Sequence, residues 1–345
     1  MTTTVAPRAK VLPRPSATGI GVALLLVLAY GIVPLVGTSY LYEAILTPFL
    51  ALSLAGLGLN LLTGYAGQLS LGSSAFMALG AYAAFNLSLR LPFLPLPVTI
   101  VLAGLVAALA GLVAGLPALR LRGFYLAVST LVVQFFVAWV LNRFGWLSND
   151  SPSGIITAPP LVVAGLSFED ARGRYLFSLT VVTLLTVLAW RLVTSPTGRN
   201  FVAVRDHETA ARVIGVGVAR TKLLAFALSS FVVGVAGVLW AFAYLRTVEP
   251  TGFNLDRSFQ ILFIVIIGGL GTLRGAFLGA ALIVVLPLLL SRFGAAILGD
   301  GFDSGTLEMC QRIALGGLIV AFLIREPAGL SAILDRAVRR LRRPT

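Results

Sequence analysis

The sequence predicts an all-α protein, a polytopic transmembrane helical bundle of about 10 spans. Hydrophobic residues make up 58% of the 345-residue chain, charged residues make up 11%, and the mean hydropathy is +0.97. A soluble domain carries roughly 25% charged residues. The apolar residues form continuous runs long enough to cross a bilayer as helices, and they do not alternate with polar residues as in a membrane β-barrel. The composition therefore fits a helical membrane protein.

Ten apolar runs are the candidate spans of one membrane domain that covers residues 17–326. They are 17–37, 41–62, 69–89, 97–117, 124–142, 175–193, 223–245, 258–270, 275–291 and 307–324. The first run is longer than the core of a cleaved signal peptide and leads directly into the second, so we expect it to be retained. The eighth run is short and rich in glycine, so an error of one or two spans is compatible with the pattern.

The charged residues predict how the spans are oriented. If segment 1–16 is cytoplasmic and ten spans alternate, most arginines and both lysines fall inside, and most acidic residues fall outside. This asymmetry follows the positive-inside rule. It predicts a multi-pass membrane protein with both termini in the cytoplasm. It also explains the net charge of +13 without a nucleic-acid partner.

Residues for several kinds of chemistry are missing from the chain. A single cysteine, Cys310, and a single histidine, His207, exclude an intrachain disulfide, a His/Cys metal site and a credible Ser/His/Asp set. No GxxxxGK[ST] motif is present, so the chain is not itself a P-loop ATPase. Glu43, Glu308 and Arg312 lie near the outer ends of spans, which argues against a proton relay. We therefore expect a non-enzymatic chain without its own metal or cofactor.

Two glycine-rich polar segments, 56–72 and 268–279, interrupt the apolar pattern. Broken helices at membrane depth line a cavity or are buried in protein, and they often mark a transport path. Close helix packing through small residues is the alternative. Polar side chains in the first segment exceed what packing needs, so a translocation path is predicted here. Its candidate residues are Asn60, Thr63, Gly64, Tyr65, Gln68, Ser70 and Ser73 in the first segment, with Gly269 and Gly271 in the second.

The polar segment 195–222 separates two long apolar runs and lies on the predicted cytoplasmic side. Pro196 and Gly198 are expected to end the preceding helix. Asp206 is predicted to N-cap a new short helix, and Glu208 would lie favourably in its first turn. The segment is therefore predicted to contain a compact surface helix, with a solvated loop as the alternative.

The predicted short helix also has an internal ion pair and an end signal. Glu208 and Arg212 are spaced i, i+4 in the favourable order, and Gly215 suits the position after the C-cap. Ala210 and Ala211 would give the helix a small, smooth flank for another protein to approach. Together these features predict about two turns of helix.

Two further segments flank the spans. The longest outside loop, 143–174, is either a plain connector or a docking surface for a soluble protein. The tail 327–345 has apolar residues at helical spacing opposite a cluster of arginines. That pattern is typical of an interfacial helix on anionic lipid, and a stop-transfer charge cluster is the alternative.

Five blocks of the chain, in order from about residue 56 to 330, carry a family resemblance. Glu208–Gly215 looks like the EAA-x-x-x-G loop of ABC-importer permeases. Leu59–Gly72, Leu121–Ala127 and Gly268–Gly275 resemble the motifs of branched-chain amino acid permeases of the LivM type. Arg325–Leu330 is similar to that family's R-P-x-G-L ending. The combination is specific, whereas any single block is not.

The resemblance implies a subunit of an importer that translocates leucine, isoleucine and valine. Its implied partners are a second, LivH-type permease, two ABC ATPase subunits that bind ATP and Mg, an extracytoplasmic substrate-binding protein and the lipid bilayer. In such importers the EAA loop rests in a groove of the ATPase. The residues carried over to that coupling role are Asp206, Glu208, Ala210, Ala211 and Gly215.

This chain departs from the family at two places. Ser73 stands where the family often has His, and Ser148–Asp150 replaces a T-G-G in the outside loop. Both positions bear on the substrate more than on the fold. Urea, short-chain amides or other amino acids are therefore alternative substrates, and an ion-gradient-driven secondary transporter or a non-transporting scaffold is the more distant alternative.

Overall fold

The computed structural model describes most of the chain. The described residues are 24–121, 123–151, 155–163, 165–298 and 329–341, with the single positions 21, 309, 313, 316, 317, 320, 324 and 325. The predicted segment 1–16 lies outside them, as does most of the predicted tenth span, with Glu308 and Arg312. The chain divides into two units, Met1–Ser39 and Tyr40–Thr345.

Helices provide nearly all the regular structure, as the composition predicts. The first unit contains a π-helical turn, Leu28–Ile32, and α1, Val33–Val36. The second unit contains α2 (Thr47–Asn60), α3 (Ser73–Arg90), α4 (Leu96–Gly115), α5 (Phe124–Arg143), α6 (Ala171–Thr194), α7 (Pro196–Asp206), α8 (Glu208–Val213), α9 (Val218–Val238), α10 (Leu255–Gly268), α11 (Leu273–Leu298) and α12 (Gly329–Leu341). Leu41–Leu46 and Leu61–Tyr65 extend α2 as π-helix, and Leu239–Leu245 extends α9 in the same way.

Five helices in the described part of the chain are long and apolar enough to cross a membrane. They are Leu41–Tyr65, Leu96–Gly115, Phe124–Arg143, Ala171–Thr194 and Val218–Leu245. Each coincides with a predicted span to within a few residues. The predicted spans 69–89, 258–270 and 275–291 correspond to α3, α10 and α11. The helical membrane fold is therefore confirmed.

Two of these helices form the centre of the second unit. In an 18-residue apolar stretch of Leu41–Tyr65, 83% of the residues are buried, and in one of Val218–Leu245, 72% are buried, against 28–39% for α4, α5 and α6. Long apolar side chains such as Val132, Phe136 and Trp139 on α5 are exposed. An apolar exposed surface of this kind matches lipid, because hydrocarbon solvates it without penalty.

Small residues let the central helices approach closely. A Cβ added at Gly80 of α3 would lie 2.1 Å from the carbonyl oxygen of Gly234 on α9, and one at Gly56 would lie 2.7 Å from Ile264. Such contacts are the small-residue packing expected between membrane helices. Gly56 lies inside α2 and Gly279 inside α11, so the predicted interruptions 56–72 and 268–279 are too long. The actual breaks are 66–72 and 269–272.

The end of the bundle that is predicted to face outside is organised by short loops and strands. β1 (Ile156–Thr157) pairs antiparallel with β4 (Thr247–Val248), and β2 (Val162–Val163) pairs with β3 (Leu166–Ser167). The guanidinium of Arg90 lies 3.3 Å from the centre of the Trp146 ring, which fixes the start of the outside loop against α3. Glu43 accepts a hydrogen bond from the buried Arg174 at 2.5 Å, so this carboxylate belongs to an ion pair at the same end of the bundle.

The C-terminal tail forms a helix, as its pattern predicts. Its first residue, Gly329, packs so closely on the second break that an added Cβ would lie 2.4 Å from Gly269 Cα. Arg274 and Asp335 form an ion pair of 3.1 Å between α11 and α12. The attraction of this helix to anionic lipid stays a prediction.

Candidate functional site

The polar segment 195–222 folds into two helices, of which sequence reasoning predicted only the second. α6 ends at Thr194, and the Ser195 hydroxyl accepts a hydrogen bond from the backbone of Gly198 at 3.4 Å, which caps α7. Pro196 is at the first position of α7, where its missing N–H removes no helical bond. Pro196 thus ends one helix and begins the next, a role that the prediction of a simple stop overlooked.

The prediction that Asp206 caps the short helix is wrong. Asp206 is the last residue of α7, and its carboxylate accepts a hydrogen bond from Arg205 Nε at 2.9 Å. His207 is the N-cap residue of α8 and makes no side-chain capping bond. An N-cap needs extended backbone angles, and these fall one residue later because α7 continues through Asp206. Only the acidic charge of Glu208 favours the first turn of α8.

The predicted end of the short helix is confirmed. Gly215 follows the C-cap with φ of +88°, a conformation that side chains with a Cβ rarely adopt. Its N–H donates to the Arg212 carbonyl at 3.1 Å, and Val216 N–H donates to the Ala211 carbonyl at 2.9 Å. These two bonds form a Schellman motif, which satisfies the last carbonyls of α8 and fixes the direction in which the chain leaves it.

Glu208 is held by two cations on opposite sides. The predicted pair with Arg212 is present at 3.5 Å, and Arg212 is well exposed. A second ion pair, with Lys222 of α9, is shorter at 3.1 Å, and the Lys222 side chain is only 8% exposed. Lys222 also donates to the Ala118 carbonyl at 3.3 Å. The sequence analysis did not single out Lys222. The chain has only two lysines, and that rarity could have drawn attention to this one.

The two alanines of the predicted flank point in opposite directions. Ala211 is buried in an apolar cluster with Val204 of α7 and Val218 of α9. It packs within the chain, so the prediction of an alanine flank holds for Ala210 alone, which is exposed. The exposed surface of the short helix continues over two apolar residues, Val213 and Ile214. Contact of Asp206, Glu208, Ala210, Ala211 or Gly215 with an ATPase stays a prediction.

The C-terminal end of α2 is joined directly to the second break, 269–272, a contact that the sequence did not predict. Both amide atoms of Asn60 are used: Nδ2 donates to the Thr272 carbonyl at 2.7 Å, and Oδ1 accepts from Gly271 N–H at 2.9 Å. Gly64 packs on the same segment, since its Cβ would lie 2.3 Å from Gly271 N. Gly269 belongs to the same break, with φ of +115°. These residues hold the chain together where two helices end.

The other candidate path residues of the first glycine-rich segment lie in the π-helical end of α2 or in the first break that follows it. Thr63 Oγ1 donates to the backbone carbonyl of Gln68 at 3.1 Å. The side-chain amide of Gln68 is buried and has no hydrogen-bond partner among the described residues. Tyr65 is buried at the end of the π-helical turn that leads into the first break. Ser70 Oγ accepts from Gly72 N–H at 3.3 Å. Whether substrate passes any of these residues stays a prediction.

A polar cluster halfway along α5 receives the N-terminus of α3, and no sequence pattern singled it out. Gln134 Oε1 accepts from Ala75 N–H at 2.7 Å, and Ser258 of α10 accepts from Ser74 N–H at 2.9 Å. Thr130 accepts from Leu71 N–H at 2.9 Å. These bonds satisfy the first N–H groups of a helix that begins inside the protein. The signal available in the sequence was Gln134, an uncharged polar residue in the middle of an apolar run.

Ser73 lies at the start of α3, buried beside this cluster. The cluster occupies the helix end with protein hydrogen bonds, so the end is not an open anion site. Within the described part of the chain, no group of three or more His, Cys, Asp or Glu side chains is placed to hold a metal ion.

Comparisons with known proteins agree on the class of protein. A family model described as "Branched-chain amino acid transport system / permease component" matches residues 41–323. The chain is similar to the high-affinity branched-chain amino acid transport system permease protein LivM of Salmonella typhimurium, with 35% identity over 298 residues, 80% of this chain and 66% of the relative.

Two further relatives show the breadth of the similarity. The autoinducer 2 import system permease protein LsrC of an Enterobacter species is 29% identical over 239 residues, 68% of this chain and 67% of that protein. The probable branched-chain amino acid transport permease protein LivH of Methanocaldococcus jannaschii is 28% identical over 304 residues, 85% of this chain and 91% of that protein. No solved structure gives a significant match.

Proposed function

This chain belongs to the family of branched-chain amino acid transport system permease components, and on that premise we propose that it is a membrane-spanning permease of an ATP-driven ABC importer. The proposed substrates are leucine, isoleucine and valine, because the relatives named LivM and LivH carry that substrate class in their names. The chain covers 66% of the length of the first of these relatives, so its substrates are part of the proposal.

The observation that best supports this function is the short helix α8. Val213 and Ile214, at the end of this helix and within the polar segment 195–222, are 86% and 74% exposed respectively. The Glu208–Lys222 ion pair and the Schellman turn at Gly215 hold the helix in one position. A small, rigid, partly apolar projection is suited to dock in a groove of another protein, since little order is lost on binding.

The proposed partners follow from this docking surface and from the family. They are two ATPase subunits that bind ATP and Mg, a second permease of the LivH type, and an extracytoplasmic binding protein that delivers the substrate. The chain itself is not catalytic; its part is a conformational change that ATP binding in the partners biases. It would lie in the bacterial inner membrane with α8 and both termini in the cytoplasm.

Reconstitution tests the proposal. The chain is purified with its partner permease and ATPases, placed in proteoliposomes, and supplied with binding protein and radiolabelled leucine, isoleucine, valine or urea. We expect uptake of the branched-chain amino acids that requires ATP and stops when the ATPases carry a hydrolysis-defective substitution. Uptake by the chain without ATPases, driven by an ion gradient, would instead show a secondary transporter.

A further inference from the structure

Arg205, near the end of α7, joins the α7–α8 segment to the two breaks at 66–72 and 269–272. Its Nη1 donates to the carbonyl of Gly64 at 2.8 Å, across 141 residues of chain. Its stem lies against Gly67, where an added Cβ would be 2.6 Å from Arg205 Cγ. Nη1 also lies 3.4 Å from the position that a Cβ on Gly271 would take. The Arg205 side chain therefore reaches the first break with its stem and the second break with its guanidinium.

The acceptor at Gly64 is a backbone group that needs a partner. Gly64 lies in the last turn of the π-helical end of α2, where carbonyls have no helical donor ahead of them. The C-terminal end of a helix also carries partial negative charge, which a guanidinium stabilises. Arginine suits the position because its rigid fork can bind two acceptors, and here Nε binds Asp206 while Nη1 binds Gly64.

The helix that carries Arg205 is fixed to the proposed docking helix. Val204 of α7, Ala211 of α8 and Val218 of α9 share one buried apolar cluster. A displacement of α8 would therefore move α7 with it, because close-packed interiors transmit strain. At the other end, the bonds from Asn60 to Gly271 and Thr272 join the end of α2 to the second break. A continuous path of contacts thus runs from α8 through Arg205 to the ends of α2 and α10.

We propose that Arg205 is the positioning residue through which movement of the α7–α8 unit reaches the two backbone breaks. The inference rests on the proposed function, since it assumes that partner ATPases displace α8. Arg205 lies on α7, whereas the proposed docking surface on α8 is formed by Ala210, Val213 and Ile214. Its loss should leave ATP hydrolysis in place and separate it from substrate movement.

The first test uses the reconstituted complex and measures the substrate transported per ATP hydrolysed. We expect Arg205→Gln to keep ATPase activity and to lower this ratio by about tenfold or more, since hydrogen bonds to charged groups shift equilibria on that scale. Arg205→Lys, which keeps the charge and a donor, should recover part of the ratio. Arg199→Gln is the matched control, because it removes an equal charge from an exposed position on the same helix.

A second variant attacks the same contact from the other side. Gly67→Ala leaves Arg205 intact but places a Cβ within 2.6 Å of its stem, at a backbone φ of +69°. We expect the same separation of ATPase activity from uptake. Combining it with Arg205→Gln should add little, because both changes remove one contact. Equal coupling in wild type and Arg205→Gln would overturn the proposal, as would loss of ATPase activity and assembly in both Arg205→Gln and Arg205→Lys.

A distance measurement keeps this inference separate from the identity of the substrate. Spin labels at Asn200 on α7 and Leu270 in the second break, both exposed, are introduced with Cys310→Ser to remove the native thiol. Nucleotide binding by the complex should shift their distance distribution in wild type and not in Arg205→Gln. If wild type shows this shift but transports no branched-chain amino acid, the substrate proposal fails and the link stands. If the shift is the same in both proteins, the link is wrong.

Discussion

At the scale of single residues, Glu208 shows how a surface acid becomes structural. It binds an exposed arginine four residues away and a buried lysine fourteen residues away. The two ion pairs are not equivalent, because solvent screens the first and not the second. The i, i+4 pair could be predicted from sequence, whereas the stronger pair required the return of α9 alongside α8.

Replacing Glu208 and Arg212 in turn should separate the two pairs. We expect Glu208→Gln to destabilise the protein by about 3 kcal/mol, because it leaves the buried Lys222 without its counter-ion. Arg212→Gln should cost less than about 1 kcal/mol, since that side chain is 66% exposed. Thermal unfolding of the purified chain and hydrogen exchange over residues 208–216 measure both effects. Equal destabilisation by the two changes would contradict this ranking.

At the scale of elements, the end of α2 and the second break are held together as one unit. The sequence predicted that 56–72 and 268–279 interrupt helices, and the structure confirms shorter breaks within both. Asn60 was predicted to line a path. Both polar atoms of its side-chain amide, however, form hydrogen bonds to the backbone of the second break. A side chain with no free polar atom can hold a break closed more readily than it can bind substrate.

Asn60→Ala should therefore be a stability variant. We expect it to cost about 1–3 kcal/mol, because it leaves the part-buried N–H of Gly271 and carbonyl of Thr272 without their partner. Ser53→Ala is a matched control on the same helix, since its buried hydroxyl has no hydrogen-bond partner in the described part of the chain. That change should be nearly neutral. Unfolding in detergent compares the stability of the two variants. If Asn60→Ala were neutral, the link between α2 and the second break would not stabilise the fold.

At the scale of the whole molecule, charge and hydropathy predict how the bundle crosses the membrane. Buried helices α2 and α9 lie at the centre of the second unit and the less buried α4, α5 and α6 present apolar side chains for lipid. The charge asymmetry predicts that the α7–α8 segment lies in the cytoplasm, where an ATPase could reach it.

Cysteine labelling checks this orientation in intact cells. In a chain with Cys310→Ser, we expect Arg246→Cys, exposed at the predicted outer end, to react with a membrane-impermeant maleimide added outside. Ile214→Cys, which is 74% exposed on the predicted cytoplasmic side, should react only after the cells are broken open. Labelling of Ile214→Cys in intact cells would invert the topology and remove the proposed contact of α8 with cytoplasmic ATPases.

The sequence by itself determined the features that depend on neighbours a few residues apart. Apolar runs set the helices because the bilayer demands continuous hydrophobic length. The Glu208–Arg212 pair and the turn at Gly215 follow from helical spacing and from the φ that only glycine adopts easily. The prediction of Asp206 as a cap failed although it is local, because a preceding helix that no pattern revealed extended through it.

Only the tertiary structure decided which distant residues meet. It buried Ala211, turned Lys222 towards Glu208, placed Gln134 at the start of α3 and joined Asn60 to Gly271 across 211 residues. It also brought Arg205 to the carbonyl of Gly64. No local pattern encodes these contacts, because they depend on how helices cross. Burying a polar group in a low-dielectric interior costs free energy unless the group is hydrogen-bonded. The packing of the helices decides which partners are within reach.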